Sequence, residues 1–222
     1  MELESEVINA YLAVKVKDFN KENPRGQRAT FIDTFEMTTI WKNGTSRLKI
    51  DPLDYDVILG IVNDHHHWTL TVMYPGQKRC QFLDPLGETA VNVKRCTEIT
   101  RRFLKSKGCN ISRLKCNSPP HPQQPDGTSC GVFALKFAES ILSAEHHISF
   151  ATTKQAIAEH RWNIATTLIQ HTDDLSAICC YCAAQRNEYT YWIACDVCNR
   201  WFHHECLGRP PTHRSYICGG CM

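Results

Sequence analysis

The sequence contains no long apolar run and no large excess of one charge. No hydrophobic stretch approaches the roughly 18 residues of a membrane-spanning helix, and the N-terminus MELESEVINAYLAV is acidic where a secretory signal needs a basic start. The 25 basic and 23 acidic residues leave a formal net charge of +2, without the positive patch that attracts nucleic acid or anionic lipid. We therefore expect an intracellular protein that binds neither a membrane nor nucleic acid directly.

Cysteine is scarce over most of the chain and dense at its end. Five of the 13 cysteines lie in residues 1–172, and eight lie in the 44 residues from Cys179 onward. The length of 222 residues and the hydrophobic fraction of 42% suit one globular domain and a small module. We predict domains at 1–172 and 176–222. In a reducing compartment, dense cysteines indicate a metal site rather than disulfides.

Hydrophobic periodicity predicts both helices and strands in the first domain. Apolar residues at helical spacing predict helices, and alternating or continuous apolar runs predict strands. The predicted helices span 6–17, 91–107, roughly 130–142 and roughly 153–170, and the predicted strands span 56–63, 67–74, 79–84 and 110–118. This mixture predicts an α+β fold.

A Pro-Gly pair predicts a hairpin between the second and third strands. With a two-residue turn, Tyr74 pairs with Gln77, and the same register places His67 directly opposite Asp84. Because Pro-Gly is not the preferred hairpin turn, a longer loop would shift the register by a residue or two. His67 and Asp84 are expected to be neighbours in either case.

Cys130 lies at a loop-to-helix junction, in the segment QQPDGTSCGVFALKFAESIL. The free N–H groups and the positive dipole end of a helix N-terminus favour a thiolate. A thiol nucleophile also needs a base and a carboxylate that orients the base. His67, which opens an alternating strand, and Asp84 supply these residue types. Alone, Cys130 is explained as a small core residue and Asp84 as a turn residue before proline, but together they favour catalysis.

Three segments resemble the ubiquitin-like protein protease family, the SUMO/sentrin-specific cysteine peptidases. They are VNDHHHW, FLDPLG with its aspartate seventeen residues after His67, and QQPDGTSCG. The first helix, VINAYL, and the segment TFEMTTI extend the resemblance to residues 3–170. The resemblance implies a papain-like cysteine protease fold, in which a mixed sheet is packed with helices.

The resemblance also implies the chemistry and the partner. Cys130 would attack the carbonyl after a C-terminal Gly-Gly of a ubiquitin-like modifier or its conjugates, and His67 would deprotonate the thiol and then protonate the leaving amine. Asp84 would fix the imidazole tautomer. Gln124 and the backbone N–H of Cys130 would form an oxyanion hole. Trp68 would bind substrate as one wall of a tunnel over the Gly-Gly tail.

The identity of the modifier and two alternative functions are left open by the sequence. Glu2 occupies the place of the family's second tunnel tryptophan, so the modifier that is cleaved is not defined. The viral adenain proteases share the His-Trp pair, a carboxylate in a similar setting and a glutamine before the cysteine. A processing protease of a mobile genetic element is therefore the alternative enzyme. A catalytically inactive chromatin reader is the non-enzymatic alternative.

The C-terminal residues contain four short pairs of metal-ligand residues. Each pair is spaced so that a single turn can present both members to one zinc ion. The pairs are Cys179/Cys182, Cys195/Cys198, His203/Cys206 and Cys218/Cys221. Four pairs predict two tetrahedral sites, with Cys180 as an alternative to Cys179.

The order of four cysteines, one histidine and three cysteines, with the WFH segment, resembles a PHD finger. The resemblance implies a cross-brace and two structural Zn²⁺. For catalysis in the first domain we predict no cofactor. One ion would bind Cys179, Cys182, His203 and Cys206, and the other would bind Cys195, Cys198, Cys218 and Cys221. RING-type ligation is an alternative that the ligand order disfavours.

Trp201 aligns with the methyl-lysine cage residue of PHD fingers. Because an aromatic face attracts a quaternary ammonium, Tyr189, Tyr191 and Trp192 are candidates for further cage walls. The resemblance implies a histone tail as the partner of the finger and a nuclear location for the protein.

Overall fold

In the computed structural model, the described residues are 2–143, 147–171, 179–182, 190–211, 215–219 and 221. The chain divides into two compact units, Met1–Leu168 and Ile169–Met222. The segment 172–178, which contains the predicted boundary between domains 1–172 and 176–222, lies outside the described residues. None of the helices in the described ranges is long and apolar enough to cross a membrane.

Helices and strands alternate irregularly along the chain. The helices are α1 Ser5–Glu22, α2 Thr34–Asn43, α3 Ala90–Ser106, α4 Cys130–Leu142 and α5 Lys154–His171. The strands are β1 Ala29–Ile32, β2 Val57–Asp64, β3 His67–Tyr74, β4 Arg79–Leu83, β5 Lys115–Asn117, β6 Trp192–Ala194 and β7 Trp201–His203. Every helix and strand predicted for the first domain is present, and two elements are additions: strand β1 and helix α2, whose N-cap is Asp33.

The first five strands form one mixed sheet in the order β1-β2-β3-β4-β5. The central strands β2, β3 and β4 are antiparallel, and the outer strands β1 and β5 pair in parallel with their neighbours. This arrangement confirms the predicted α+β class with a mixed sheet packed with helices. Strands β6 and β7 form a separate antiparallel pair in the second unit.

Both faces of the sheet are covered by helices. Leu59 and Ile61 of β2 belong to a core shared with α1, α4 and α5, whereas Ile58 and Val62 belong to a second core shared with α2 and α3. A strand that is buried on both faces has no side that faces solvent, so its apolar residues do not alternate with polar ones. The continuous apolar run in β2 is explained by this double coverage.

The predicted hairpin register between β3 and β4 is wrong by two residues. Tyr74 pairs with Arg79 rather than Gln77, and Leu70 pairs with Leu83, so His67 does not lie directly opposite Asp84. The turn uses four residues and is closed by hydrogen bonds from Gln77 N to Tyr74 O at 3.1 Å and from Lys78 N to Pro75 O at 3.1 Å. In a two-residue turn, the backbone twist of an L-Pro-Gly pair does not match the twist of the flanking strands. This mismatch explains the longer loop.

Candidate active site

Cys130 is the first residue of α4, and its side chain is buried. The turn before it is held by Asp126, whose carboxylate accepts hydrogen bonds from Thr128 N at 2.8 Å, Ser129 N at 2.9 Å and Ser129 Oγ at 2.8 Å. Arg161 of α5 donates to Thr128 O at 3.1 Å. These contacts fix the thiol at the N-terminus of a buried helix, as the sequence predicts.

His67 joins Cys130 to Asp84. The imidazole Nε2 lies 2.6 Å from Asp84 Oδ1, and the same imidazole interacts with the Cys130 thiol. The bond to Asp84, followed by the bond to Cys130, raises the pKa of His67 to about 9 although partial burial acts in the opposite direction. The three side chains therefore meet in one place, and the contacts of His67 with Asp84 and Cys130 favour the protonated imidazole.

Asp84 is held by contacts that sequence reasoning missed. Its backbone N–H donates to Glu88 Oε1 at 2.9 Å, and its Oδ1 also accepts from Leu86 N at 2.9 Å. His121 Nε2 lies 3.1 Å from both Asp84 O and Glu88 Oε1. No pattern in the sequence predicts this pairing of Glu88 with His121. The Pro-rich loop that carries His121 is visible in the sequence, but it does not identify Glu88 as the partner.

Gln124 is buried in the loop that leads to Cys130. Its backbone N–H donates to Pro85 O at 2.8 Å, which ties this loop to the segment after Asp84. Its Nε2 donates to Asp126 O, and its Oε1 has no hydrogen-bond partner among the described residues. Because an amide nitrogen carries two hydrogens, one N–H remains for a further acceptor.

Trp68 lies against the first turn of α4. A Cβ on Gly131 would be 3.3 Å from Trp68 Cδ1 and 3.1 Å from Leu3 Cβ, so only glycine fits next to Cys130 without displacing them. Trp68 is 3% exposed and belongs to the same core as Cys130. Its role in substrate binding stays a prediction.

The second unit brings the eight predicted ligand residues into two groups, each of which could hold a metal ion. In each group the ligand atoms lie within 4.8 Å of one another. The groups are Cys179, Cys182, His203 and Cys206, and Cys195, Cys198, Cys218 and Cys221. Cys179 is buried in its group, whereas Cys180 is exposed.

The surroundings of these sulfurs fit a cation. His203 Nδ1 lies 3.3 Å from Cys182 Sγ, and the backbone N–H of His203 donates to Cys179 Sγ at 3.2 Å. The N–H of Cys218 donates to Cys195 Sγ at 3.3 Å, and this bond lowers the pKa of Cys195 to about 6. Amide donors that stabilise thiolates prepare these sulfurs as metal ligands.

The aromatic residues of the second unit differ in exposure. Trp201 is half-buried in β7, and Tyr191 is 82% exposed. Trp192 packs its ring edge-on against the His203 ring at 4.2 Å between centroids. Tyr189 lies outside the described residues. The structure therefore describes Trp201 and Tyr191 as accessible aromatic side chains.

Comparisons with known proteins identify relatives of the first domain. The profile of the "Ulp1 protease family, C-terminal catalytic domain" matches residues 4–172. "Sentrin-specific protease 2" of Rattus norvegicus is 28% identical over 163 residues, which cover 67% of this chain and 27% of that protein. The chain thus spans about a quarter of the length of this relative.

Two further likenesses concern the fold and the C-terminal residues. The solved structure of the C-terminal Ulp1 protease domain in complex with SMT3, the yeast ortholog of SUMO, superposes with a TM-score of 0.60 at 16% identity, covering 76% of this chain and 77% of that chain. "PHD finger protein ALFIN-LIKE 2" of Oryza sativa subsp. indica is 35% identical over 48 residues, or 22% of this chain and 18% of that protein. Since the family profile covers most of the sequence, the chain belongs to the Ulp1 protease family and contains its C-terminal catalytic domain.

Proposed function

We propose that this protein is a cysteine peptidase that hydrolyses the bond after the C-terminal Gly-Gly of a SUMO-class modifier. The observation that carries the proposal is the contact of Cys130 with His67, whose Nε2 lies 2.6 Å from Asp84. Family membership and the likeness to a protease solved with the yeast SUMO ortholog support the choice of substrate.

In the proposed mechanism, the thiolate of Cys130 attacks the glycine carbonyl and forms a tetrahedral oxyanion. The backbone N–H of Cys130 and the remaining N–H of Gln124 would donate to this oxyanion. Collapse breaks the C–N bond, and His67 passes its proton to the leaving amine. A water molecule, deprotonated by His67, then hydrolyses the thioester and regenerates the thiol. Asp84 holds the imidazole in the tautomer that both transfers need.

The decisive experiment uses Gly-Gly vinyl sulfone probes made from SUMO, ubiquitin and other modifiers. We expect the SUMO probe to label the full chain at Cys130, and prior alkylation of the thiol to prevent labelling. Labelling only by the probe of another modifier would contradict the proposed SUMO-class substrate. No labelling by any probe, with a thiol that also resists alkylating reagents, would favour an inactive reader. Cleavage of Gly-containing protein sites without probe labelling would favour an adenain-like processing protease.

We also propose that the second unit is a PHD finger with two structural Zn²⁺ that binds a histone tail. The two groups of four ligand residues and the 48-residue likeness to a PHD finger protein support this assignment. The test measures binding of histone-tail peptides with and without methyl-lysine. Trp201→Ala should abolish any preference for the methylated peptide, since the aromatic face would attract the ammonium. A histone partner implies a nuclear location.

The raised pKa of His67 predicts a basic limb in the pH profile. The imidazolium persists up to a pKa of about 9, so the general acid is available below that pH and is lost above it. We expect kcat/KM for a Gly-Gly amide substrate to fall as pH rises through about 9. In Asp84→Ala the main cause of the shift is removed, and the NMR titration of His67 should move to lower pH by about one unit or more. An unchanged titration midpoint would contradict this cause.

Gln124→Ala is expected to lower kcat by about 10²–10³-fold with little change in KM, because one oxyanion donor is lost. The matched control is Gln123→Ala, since Gln123 is the adjacent residue and is exposed. The control should retain activity within about twofold. Steady-state kinetics on a Gly-Gly amide substrate distinguish the two variants. Equal losses in both would mean that the substitutions disturb the loop rather than the oxyanion.

A further inference from the structure

Three cysteines that the proposed chemistry does not use converge inside the catalytic domain. Cys80 of β4, Cys96 of α3 and Cys116 of β5 have Sγ atoms that all lie within 4.8 Å of one another. Cys80 and Cys116 are direct register partners in the parallel pair β4–β5. The three positions are far apart in the sequence, so no spacing motif indicates the cluster.

The burial of the cluster suits an ion that enters from one side. Cys80 and Cys96 are fully buried, whereas Cys116 is partly exposed and connects the cluster to the surface. The hydroxyl groups of Thr71 and Thr100 lie 3.6 and 3.8 Å from Cys96 Sγ. The site therefore combines three sulfur ligands with nearby oxygen atoms.

The separations match those of a thiolate metal centre. Zn–S bonds of about 2.3 Å in a tetrahedron place the sulfurs about 3.8 Å apart, so small side-chain rotations suffice. Soft thiolate ligands select zinc and other soft ions over magnesium or calcium.

We propose that Cys80, Cys96 and Cys116 bind one Zn²⁺ within the catalytic domain, in addition to the two ions of the finger. The ion takes three thiolate sulfurs and one oxygen from water or a neighbouring hydroxyl group. Binding releases the protons of the thiols that are not yet ionised. A disulfide would use only two of the three sulfurs, whereas one ion accounts for all of them.

The ion would join three elements that surround the active site. Strand β4 ends at Leu83, directly before Asp84, and β5 leads into the loop that carries Gln124. Ser118, just after β5, already donates to Phe82 O at 2.7 Å. A bridge from β4 to β5 and α3 would therefore stiffen the frame that holds Asp84 and its loop.

The test counts zinc in the full chain by plasma mass spectrometry after purification under reducing conditions. Wild type should contain one ion more than Cys116→Ser, whatever the occupancy of the finger. Cys109→Ser is the matched control, because Cys109 is a buried thiol of the same core outside the cluster. This control should keep the wild-type content. Equal zinc in wild type and a folded Cys116→Ser would overturn the proposal.

A second measurement does not depend on a variant. In the native wild-type chain, Cys116 should resist alkylation until a chelator is added, as read by peptide mass spectrometry. Alkylation at the same rate with and without chelator would contradict an ion at this site. A Cys80–Cys116 disulfide in protein that was kept reduced would likewise overturn the proposal.

Discussion

Cys130→Ala and His67→Ala are each expected to lower kcat for a Gly-Gly amide substrate on the order of 10⁶-fold, and the double variant should lose no more. The thiol and imidazole interact, and in the proposed mechanism the imidazole accepts the thiol proton. If either the thiol or the imidazole is missing, the remaining group can no longer contribute to the reaction. The losses are therefore strongly non-additive, unlike those of independent sites.

Single-turnover kinetics with the three variants measure this effect, and Cys109→Ala provides the control. Cys109 is a buried thiol that lies in the core on the other face of the sheet. Its removal should cost stability but leave kcat within about twofold. Losses that multiply in the double variant would show that Cys130 and His67 act independently, which would contradict the proposed mechanism.

Most strands and helices of the catalytic domain were predictable because their apolar periodicity is strong, whereas the short elements β1 and α2 were not predicted. In α3, Cys96, Thr100, Phe103 and Leu104 recur at helical spacing and are buried, whereas Val93 of the same helix is partly buried. The β3–β4 register was not predictable from the Pro-Gly pair, since turn length depends on the twist of the flanking strands.

The central site residues were predictable from residue type and position, whereas their supports were not. Cys130, His67 and Asp84 each stand at the end of a helix or strand, where the sequence carries a visible signal. Glu88 and His121 support Asp84 from two loops that meet only in the folded chain. Contacts of this kind depend on tertiary structure, which no local pattern encodes.

Removing one ligand of the finger is expected to unfold the second unit and leave the peptidase active. Its described core contains Cys179, Cys195, Phe202 and Cys218 as buried residues, and three of these are proposed metal ligands. Burial of one phenylalanine contributes at most about 3 kcal/mol. Ordering the backbone costs roughly 1–2 kcal/mol per residue. Without the ions, the apolar contacts are far too few to offset that cost.

Cys195→Ser should therefore abolish amide-hydrogen protection across residues 190–211 while kcat/KM changes by less than about twofold. Cys180→Ser is the matched control, because Cys180 is an exposed thiol outside both ligand groups. It should keep the protection of the wild type. None of the proposed finger ligands takes part in the proposed chemistry at Cys130, so loss of metal there removes no group that the reaction uses. Parallel loss of protection and activity in Cys195→Ser would mean that the catalytic domain depends on a folded finger, which would contradict the separation of the two units.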